Sequence, residues 1–131
     1  MVDSIFTQII KGEIPCHKIY EDEKVIAFLD ISPLTPGHTL VIPKQQISHF
    51  DDLSDEQYTS LFLVVKRVAQ HIKKVTGAKR ACVRVEGFNV PHAHVHVYPC
   101  NTAEDFYGDS DRLHKEPDHP ALAEMAKKLQ I

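Results

Sequence analysis

Three histidines, His92, His94 and His96, stand at alternate positions within five residues of a chain that holds nine histidines in all. On an extended strand alternate side chains share a face. The three imidazoles are therefore expected to project together, with Ala93, Val95 and Val97 turned to the core. Three imidazoles on one face repel one another if all are protonated. A ring kept neutral near pH 7 retains a lone pair that can serve as nucleophile, base or metal ligand. Same-face neighbours on a strand lie about 7 Å apart at Cα, close enough to converge on one zinc ion. Residue types alone support a zinc site and a nucleophilic site equally. Merely polar surface or core histidines are the weaker reading, because strict alternation beside the Gly87 turn is not what scattered histidines produce.

The elements that must position this cluster can be read from periodicity and punctuation. Asp3 or Ser4 can cap a short helix carrying Ile5, Phe6, Ile9 and Ile10, ended near Gly12 and Pro15. Lys18 to Tyr20 and Val25 to Asp30 read as a hairpin joined by a polar turn. The loop Ser32-Pro33-Leu34-Thr35-Pro36-Gly37 precedes a strand from His38 to Ile42. Ser54 and Gln57 form a capping-box pattern for the longest helix, whose apolar face runs from Tyr58 through Leu61, Val65, Val68 and Ile72 to Val75, closed by Gly77. Ala81 to Val85 and His92 to Tyr98 are two further strands, the second ended by Pro99. Residues 101–118 read as an irregular polar surface loop, and Pro120 to Leu129 as a short amphipathic helix. Together these predict an α+β fold: a mostly antiparallel five-stranded sheet with one long helix and short terminal helices, as a single domain over 1–131.

Composition narrows the classes of partner. The chain has 131 residues, 43% hydrophobic and 25% charged, with a net charge of −3 when histidines are neutral. That charge gives no electrostatic footprint for nucleic acid or an anionic membrane surface, so phosphate recognition has to come from a local site. Cys16, Cys82 and Cys100 are odd in number and form no C-x-x-C pair, which speaks against a disulfide scaffold and a cysteine zinc site. No signal peptide is visible at Met1-Val2-Asp3-Ser4, and no apolar run approaches membrane-spanning length. A cytoplasmic location is the expectation.

The stretch Val90-Pro91-His92-Ala93-His94-Val95-His96-Val97 resembles the signature of the histidine-triad (HIT) family. Further blocks match in register: Asp3-Ser4-Ile5-Phe6 to Gly12-Glu13-Ile14-Pro15, Phe28-Leu29-Asp30-Ile31-Ser32-Pro33, and Pro36-Gly37-His38-Thr39-Leu40-Val41-Ile42-Pro43-Lys44. About the first 100 residues are covered. The resemblance implies a HIT-like fold and a nucleotide hydrolase or transferase acting at the α-phosphate of purine nucleoside phosphoramidates or related 5′-nucleotide conjugates. His94 is then the nucleophile that forms a nucleotidyl-histidine, and His96 contacts the phosphate and leaving group. His92 orients the nucleophile, partly through its carbonyl, and His38 completes the histidine network. Asp30 is implied to accept from the ribose hydroxyls. Ile5, Phe6, Phe28, Leu29 and Ile31 are implied to line the purine pocket, with Asn89 near the phosphate. The implied ligand is a purine nucleotide such as AMP or a conjugate, the assembly a homodimer, and neither a cofactor nor a catalytic metal is needed. Rival readings are a nucleotide-binding regulatory or interaction module without turnover, a dinucleoside polyphosphate hydrolase, and a zinc protein.

The sequence also departs from the family pattern. Some bacterial members place zinc cysteines where Ser4 and Thr7 stand here, with a partner histidine near His49. Two hydroxyls are poor zinc ligands, so that metal is expected to be absent and His49 to be a surface or helix-approach residue. Val85 replaces a polar asparagine, and the 86–90 loop is shortened, so the substrate preference of the phosphoramidase branch does not transfer.

Overall fold

The computed structural model describes residues 2–108 and 110–131. Helix α1 spans Ile5–Ile10, and Ser4 caps it by accepting the Thr7 N–H on its hydroxyl. The hairpin follows as β1, Lys18–Glu21, and β2, Val25–Leu29. Its turn is tied by the Asp22 carboxylate, which accepts the Lys24 and Val25 N–H groups at 2.7 and 2.8 Å. Strand β3, Thr39–Pro43, lies on the other side of β2.

Helix α2, Asp55–Thr76, starts in the Ser54–Gln57 capping box and ends at Gly77, whose φ of 72° is the left-handed conformation that glycine adopts without a steric penalty. Strands β4, Arg80–Val85, and β5, Val95–Cys100, complete a five-stranded sheet of order β1-β2-β3-β5-β4. Every neighbouring pair is antiparallel. The α+β class and the strand number expected from the sequence both hold.

Each face of the sheet has its own cover. On one face Leu61, Val64, Val65, Val68 and Ile72 of α2 pack on Ala27, Val41, Val95 and Val97. The last helix, α4 at His119–Leu129, adds Leu122, Ala126 and Leu129 to the same core. On the other face Phe6 of α1 packs on Ile26, Phe28, Leu40 and Ile42. Strands β2 and β3 are thus buried along their whole length, which explains why their sequences run apolar without alternating: both faces are removed from water.

Three expectations need correction. The triad strand does not run from His92 to Tyr98: β5 begins at Val95, so His92 and His94 precede it. Pro91 has no N–H to donate, the His92 N–H turns back to Val90 O at 2.8 Å, and the Ala93 N–H goes to Ile47 O at 2.7 Å. These backbone groups are spent outside the ladder. Pro99 does not end the strand either. Beyond Val97 the ladder of β5 with β3 ends and the Thr35 hydroxyl donates to Pro99 O at 2.7 Å, while Pro99 still pairs with Ala81 of β4, and a proline is tolerated where a ladder is one-sided.

Residues 101–118 are not irregular throughout. Helix α3, Ala103–Tyr107, has a capping box of Thr102 and Asp105, and a 3-10 turn covers Ser110–His114. At the end of α3, Gly108 abuts Leu34 so closely that a Cβ there would overlap the leucine side chain. No helix among the described residues is long and apolar enough to cross a membrane.

Candidate active site

A cleft of about 530 Å³ opens on the face of the sheet that carries α1. Its inner end is apolar, walled by Phe6 and Ile9 of α1 with Phe28 and Leu40 of the sheet. Asp30 and Ile31, just past β2, form its side, and His94, His96 and Asn89 form its far wall. Leu29 borders the cleft, but its side chain belongs to the core beneath α2. Ile5 and Ile31 each remain 49% exposed, so they close the mouth of the cleft and not its floor.

The three triad rings do not share one wall. His94 and His96 line the cleft, whereas His92 and His38 are fully buried behind it. The reason is the backbone turn at Pro91–Ala93, which takes His92 out of the strand alternation that its spacing suggests.

The hydrogen bonds assign a tautomer to each ring. The Nε2 of His92 lies 2.8 Å from Pro43 O and must donate to it. Its Nδ1 then accepts, and the Ser4 hydroxyl sits 2.8 Å away as the donor. The Thr7 hydroxyl donates to Gln46 Oε1 at 2.6 Å, and the Ser4 N–H donates to the same oxygen at 2.8 Å. The Ser4 hydroxyl therefore holds the His92 ring, while the Thr7 hydroxyl ties the start of α1 to Gln46. His49 is exposed at the start of a 3-10 turn, Phe50–Asp52.

With His92 fixed, its carbonyl accepts from His94 Nδ1 at 2.7 Å. The proton of His94 is thereby placed on Nδ1, and the lone pair of Nε2 is free on the other side of the ring. Phe6 supports the ring edge-on, with centroids 4.9 Å apart.

A second chain of donors sets His96. The Leu34 N–H donates to His38 Nδ1 at 2.9 Å. His38 must then carry its proton on Nε2, which donates to His96 Nδ1 at 2.9 Å. His96 consequently presents N–H at Nε2. Burial, with the neighbouring His96 charge next, drives His38 down to about 2, and burial, with His94 next, drives His96 down to about 4. Burial also lowers His92. These three rings are neutral at pH 7.

This has a consequence for stability. Unfolded, each of these imidazoles titrates near 6.5, so between that value and the folded pKa the unfolded chain binds more protons. Stability is complete above about pH 6.5 and falls as the pH is lowered, with the His96 share exhausted near pH 4 and the His38 share continuing below it. A loss of about 2–3 kcal/mol is expected between pH 6.5 and 5. Urea unfolding across this range measures it. A flat profile would contradict the neutral buried pair.

Asp30 accepts the Ser32 N–H on Oδ1 at 2.8 Å. Its Oδ2 is 3.6 Å from His38 Nε2, beyond hydrogen-bond length. Burial raises its pKa, opposed by the Ser32 N–H and the charge of Arg112. A carboxylate withdrawn from water with spare lone pairs is suited to accept from ligand hydroxyls.

Three charged residues of the cleft are not among those the sequence marks. Arg84 is the cross-strand partner of His96. Its guanidinium donates to Phe106 O at 2.7 Å and lies over the Phe106 ring at 4.9 Å. Arg112 donates through Nε to Ser32 O at 3.0 Å and lines the same cleft. Glu86, one residue past β4, is the third. The alternation of β4 carried a signal for Arg84, but only the register opposite β5 gives that signal meaning. Nothing local marks Arg112, which comes from a turn 80 residues away from Ser32.

Among the described residues two groups have ligand atoms within 4.8 Å of one another: Asp30, His38 and His96, and Glu86, His94 and His96. The tautomers work against a metal in both. Both nitrogens of His38 and the Nδ1 of His96 are already engaged in the donor chain, and the His96 Nε2 carries a proton. The first group is left with only the Asp30 carboxylate, and the second with only His94 Nε2 and the Glu86 carboxylate, to offer free lone pairs.

Residues 11–103 match the HIT domain family. The chain is 42% identical over 99 residues to a HIT-like protein of Methanocaldococcus jannaschii, covering 72% of this chain and 77% of that one. It is 39% identical over 100 residues to an adenosine 5′-monophosphoramidase of Schizosaccharomyces pombe, covering 72% of each. It also superposes on the crystal structure of a Hit-like protein involved in cell-cycle regulation from Bartonella henselae with a TM-score of 0.81 at 32% identity, covering 98% of this chain and 95% of that one.

Proposed function

This chain belongs to the HIT domain family, and from that premise we propose that it is a nucleotidyl hydrolase or transferase working through a covalent nucleotidyl-His94. The observation that carries the reading is the 2.7 Å bond from His94 Nδ1 to His92 O, which leaves the Nε2 lone pair free in the cleft. The substrates are purine nucleoside phosphoramidates or related 5′-nucleotide conjugates. The purine occupies the apolar end of the cleft lined by Phe6, Phe28, Ile5 and Ile31, and Asp30 accepts from the ribose hydroxyls.

In the first displacement Nε2 bonds to the α-phosphorus and the bond to the leaving group breaks. Its electron pair departs with the leaving group, and an amine leaving group takes up a proton from solvent water as it goes. The His94 ring keeps its Nδ1 proton, so the adduct is an imidazolium. Such a ring leaves as neutral imidazole when water attacks, with no further proton required. The Nε2–H of His96, with Arg84 and Arg112, faces the charge on the phosphoryl oxygens, as oriented donors must to stabilise the transition state. His92 and His38 act from behind the wall by fixing tautomers, and Asn89 borders the phosphate.

We take residues 1–131 as one such unit and a homodimer as its assembly. Strand β4 ends the sheet with Val83 exposed, an open ladder that a second copy would cover. Light scattering reads the mass.

Rapid acid quench with a radiolabelled adenosine phosphoramidate tests the mechanism. Label bound to His94 supports it, whereas AMP binding without adduct or turnover favours a non-catalytic binding module. Asp30→Ala is expected to weaken ribonucleotide binding about 10- to 100-fold, the worth of hydrogen bonds to a charged group, and to erase discrimination against 2′-deoxynucleotides. Calorimetric titration of AMP and dAMP measures this, and retained discrimination would remove Asp30 from the ribose site.

A further inference from the structure

Hydrolysis of a nucleotidyl-histidine needs a group to take the proton of the attacking water, and no triad ring is placed to do so. His94 Nε2 is bonded to phosphorus in the adduct. His96 presents N–H at Nε2, because its Nδ1 accepts from His38. His92 and His38 are buried away from the cleft.

The cleft has two carboxylates, Asp30 and Glu86. Asp30 lies at the side next to the base pocket, bonded to the Ser32 N–H and short of water. Glu86 lies on the opposite side, where the chain leaves β4, and is open to solvent. One of its oxygens and a ring nitrogen each of His94 and His96 all lie within 4.8 Å of one another. A single water hydrogen-bonded at about 2.8 Å to each partner bridges such a gap.

The order of groups across the sheet fixes which side this is. On the cleft face the strands present Phe28 from β2, Leu40 from β3, His96 from β5 and Arg84 from β4. A nucleotide with its base against Phe28 and its phosphorus at His94 therefore directs its leaving group toward β4. Water that replaces the departed group enters from the same side, next to Glu86.

We propose that Glu86 is the general base of the second displacement, an assignment that rests on the covalent reading above. The Glu86 carboxylate takes a proton from water, the water oxygen bonds to phosphorus, and the P–Nε2 bond breaks with its electron pair returning to Nε2. The products are a nucleoside monophosphate, neutral His94 and a protonated Glu86 that loses its proton to solvent. The first displacement needs no base at this position, since His94 attacks with a lone pair already free. Glu86 thus matters to one half of the reaction only.

Glu86→Gln separates the halves. The amide keeps an oxygen to accept the Phe88 N–H, which Glu86 Oε2 receives at 3.1 Å, and the site is exposed, so the fold is retained. In quench-flow with a radiolabelled adenosine phosphoramidate, adduct formation is expected to keep its wild-type rate. Adduct decay should slow about 100-fold or more, the usual worth of a general base, so that labelled His94 accumulates toward one per chain. Hydroxylamine, which attacks through a free lone pair, should discharge the accumulated adduct of the variant at nearly the wild-type rate. Decay unchanged in Glu86→Gln, or formation and decay slowed alike, would overturn the role of Glu86 while leaving the nucleotidyl-histidine in place. Normal turnover of wild type with no adduct at any time would remove the covalent reading and Glu86 with it.

Discussion

His94→Ala is expected to lower the steady-state rate by about 10⁴-fold or more, the scale on which enzymes lose activity when a covalent nucleophile is deleted, while AMP affinity changes by only a few-fold. The asymmetry follows from the site. In the proposed mechanism His94 contributes one Nε2 lone pair, and the groups expected to hold the nucleotide, Phe6, Phe28 and Asp30, sit on other elements. The ring is held by a bond to a backbone carbonyl, His92 O, so its removal leaves no side chain without a partner. Single-turnover kinetics and calorimetric titration of the same sample make the comparison. A variant that turns over normally would exclude His94 as nucleophile, and one that no longer binds AMP would mean that the ring holds the nucleotide as well as attacking it.

Phe6→Ala is expected to be the most damaging change outside the histidines. Phe6 is buried and meets three rings edge-on: His94 at 4.9 Å, His92 at 5.9 Å and Phe28 at 5.9 Å. Truncation removes the central side chain of the smaller core and leaves a cavity, at a cost of about 3 kcal/mol or more. It also frees the His94 ring from the surface that holds its angle. A displacement of about 1 Å at a reacting atom costs on the order of 100-fold in rate, so kcat is expected to fall by that factor even where the variant is fully folded. Urea unfolding and kcat at a denaturant-free, low temperature separate the two effects. A stable variant with unchanged kcat would show that the backbone bond alone positions His94.

The two variants probe different links of one chain. The Ser4 hydroxyl and Pro43 O fix His92, the His92 carbonyl fixes the His94 tautomer, and Phe6 fixes the ring plane. The links come from α1 and its cap, β3 and the segment before β5, so a local change in any of them reaches the His94 ring.

Much of this was legible in the residues. The Ser54–Gln57 box and the Gly77 stop delimit α2 because capping is a local exchange of hydrogen bonds that needs no tertiary partner. The hairpin of β1 and β2 follows from its polar turn, and His94, His96, Asp30 and the two phenylalanines were singled out by type, spacing and family resemblance. The box at Thr102 and Asp105 is equally local. Yet periodicity gives no sign of it, because a helix of five residues among polar neighbours has no apolar stripe.

What the sequence could not determine is which hydrogen-bond partner each ring finds. Alternation placed three imidazoles on one wall, but the backbone at Pro91–Ala93 bonds to Val90 O and Ile47 O instead of a strand, and His92 drops behind the cleft. Arg84 reaches the site through its pairing with His96, and Arg112 through a bond to Ser32 O. These are long-range pairings, set by register and by where a distant turn lands. Local residue chemistry marks His94 and His96 as candidate reactive groups, and the family resemblance gives them roles. The tertiary structure alone decided which nitrogen of each holds the proton, because a tautomer is fixed by the donor or acceptor that faces it, and those partners come from elsewhere in the chain.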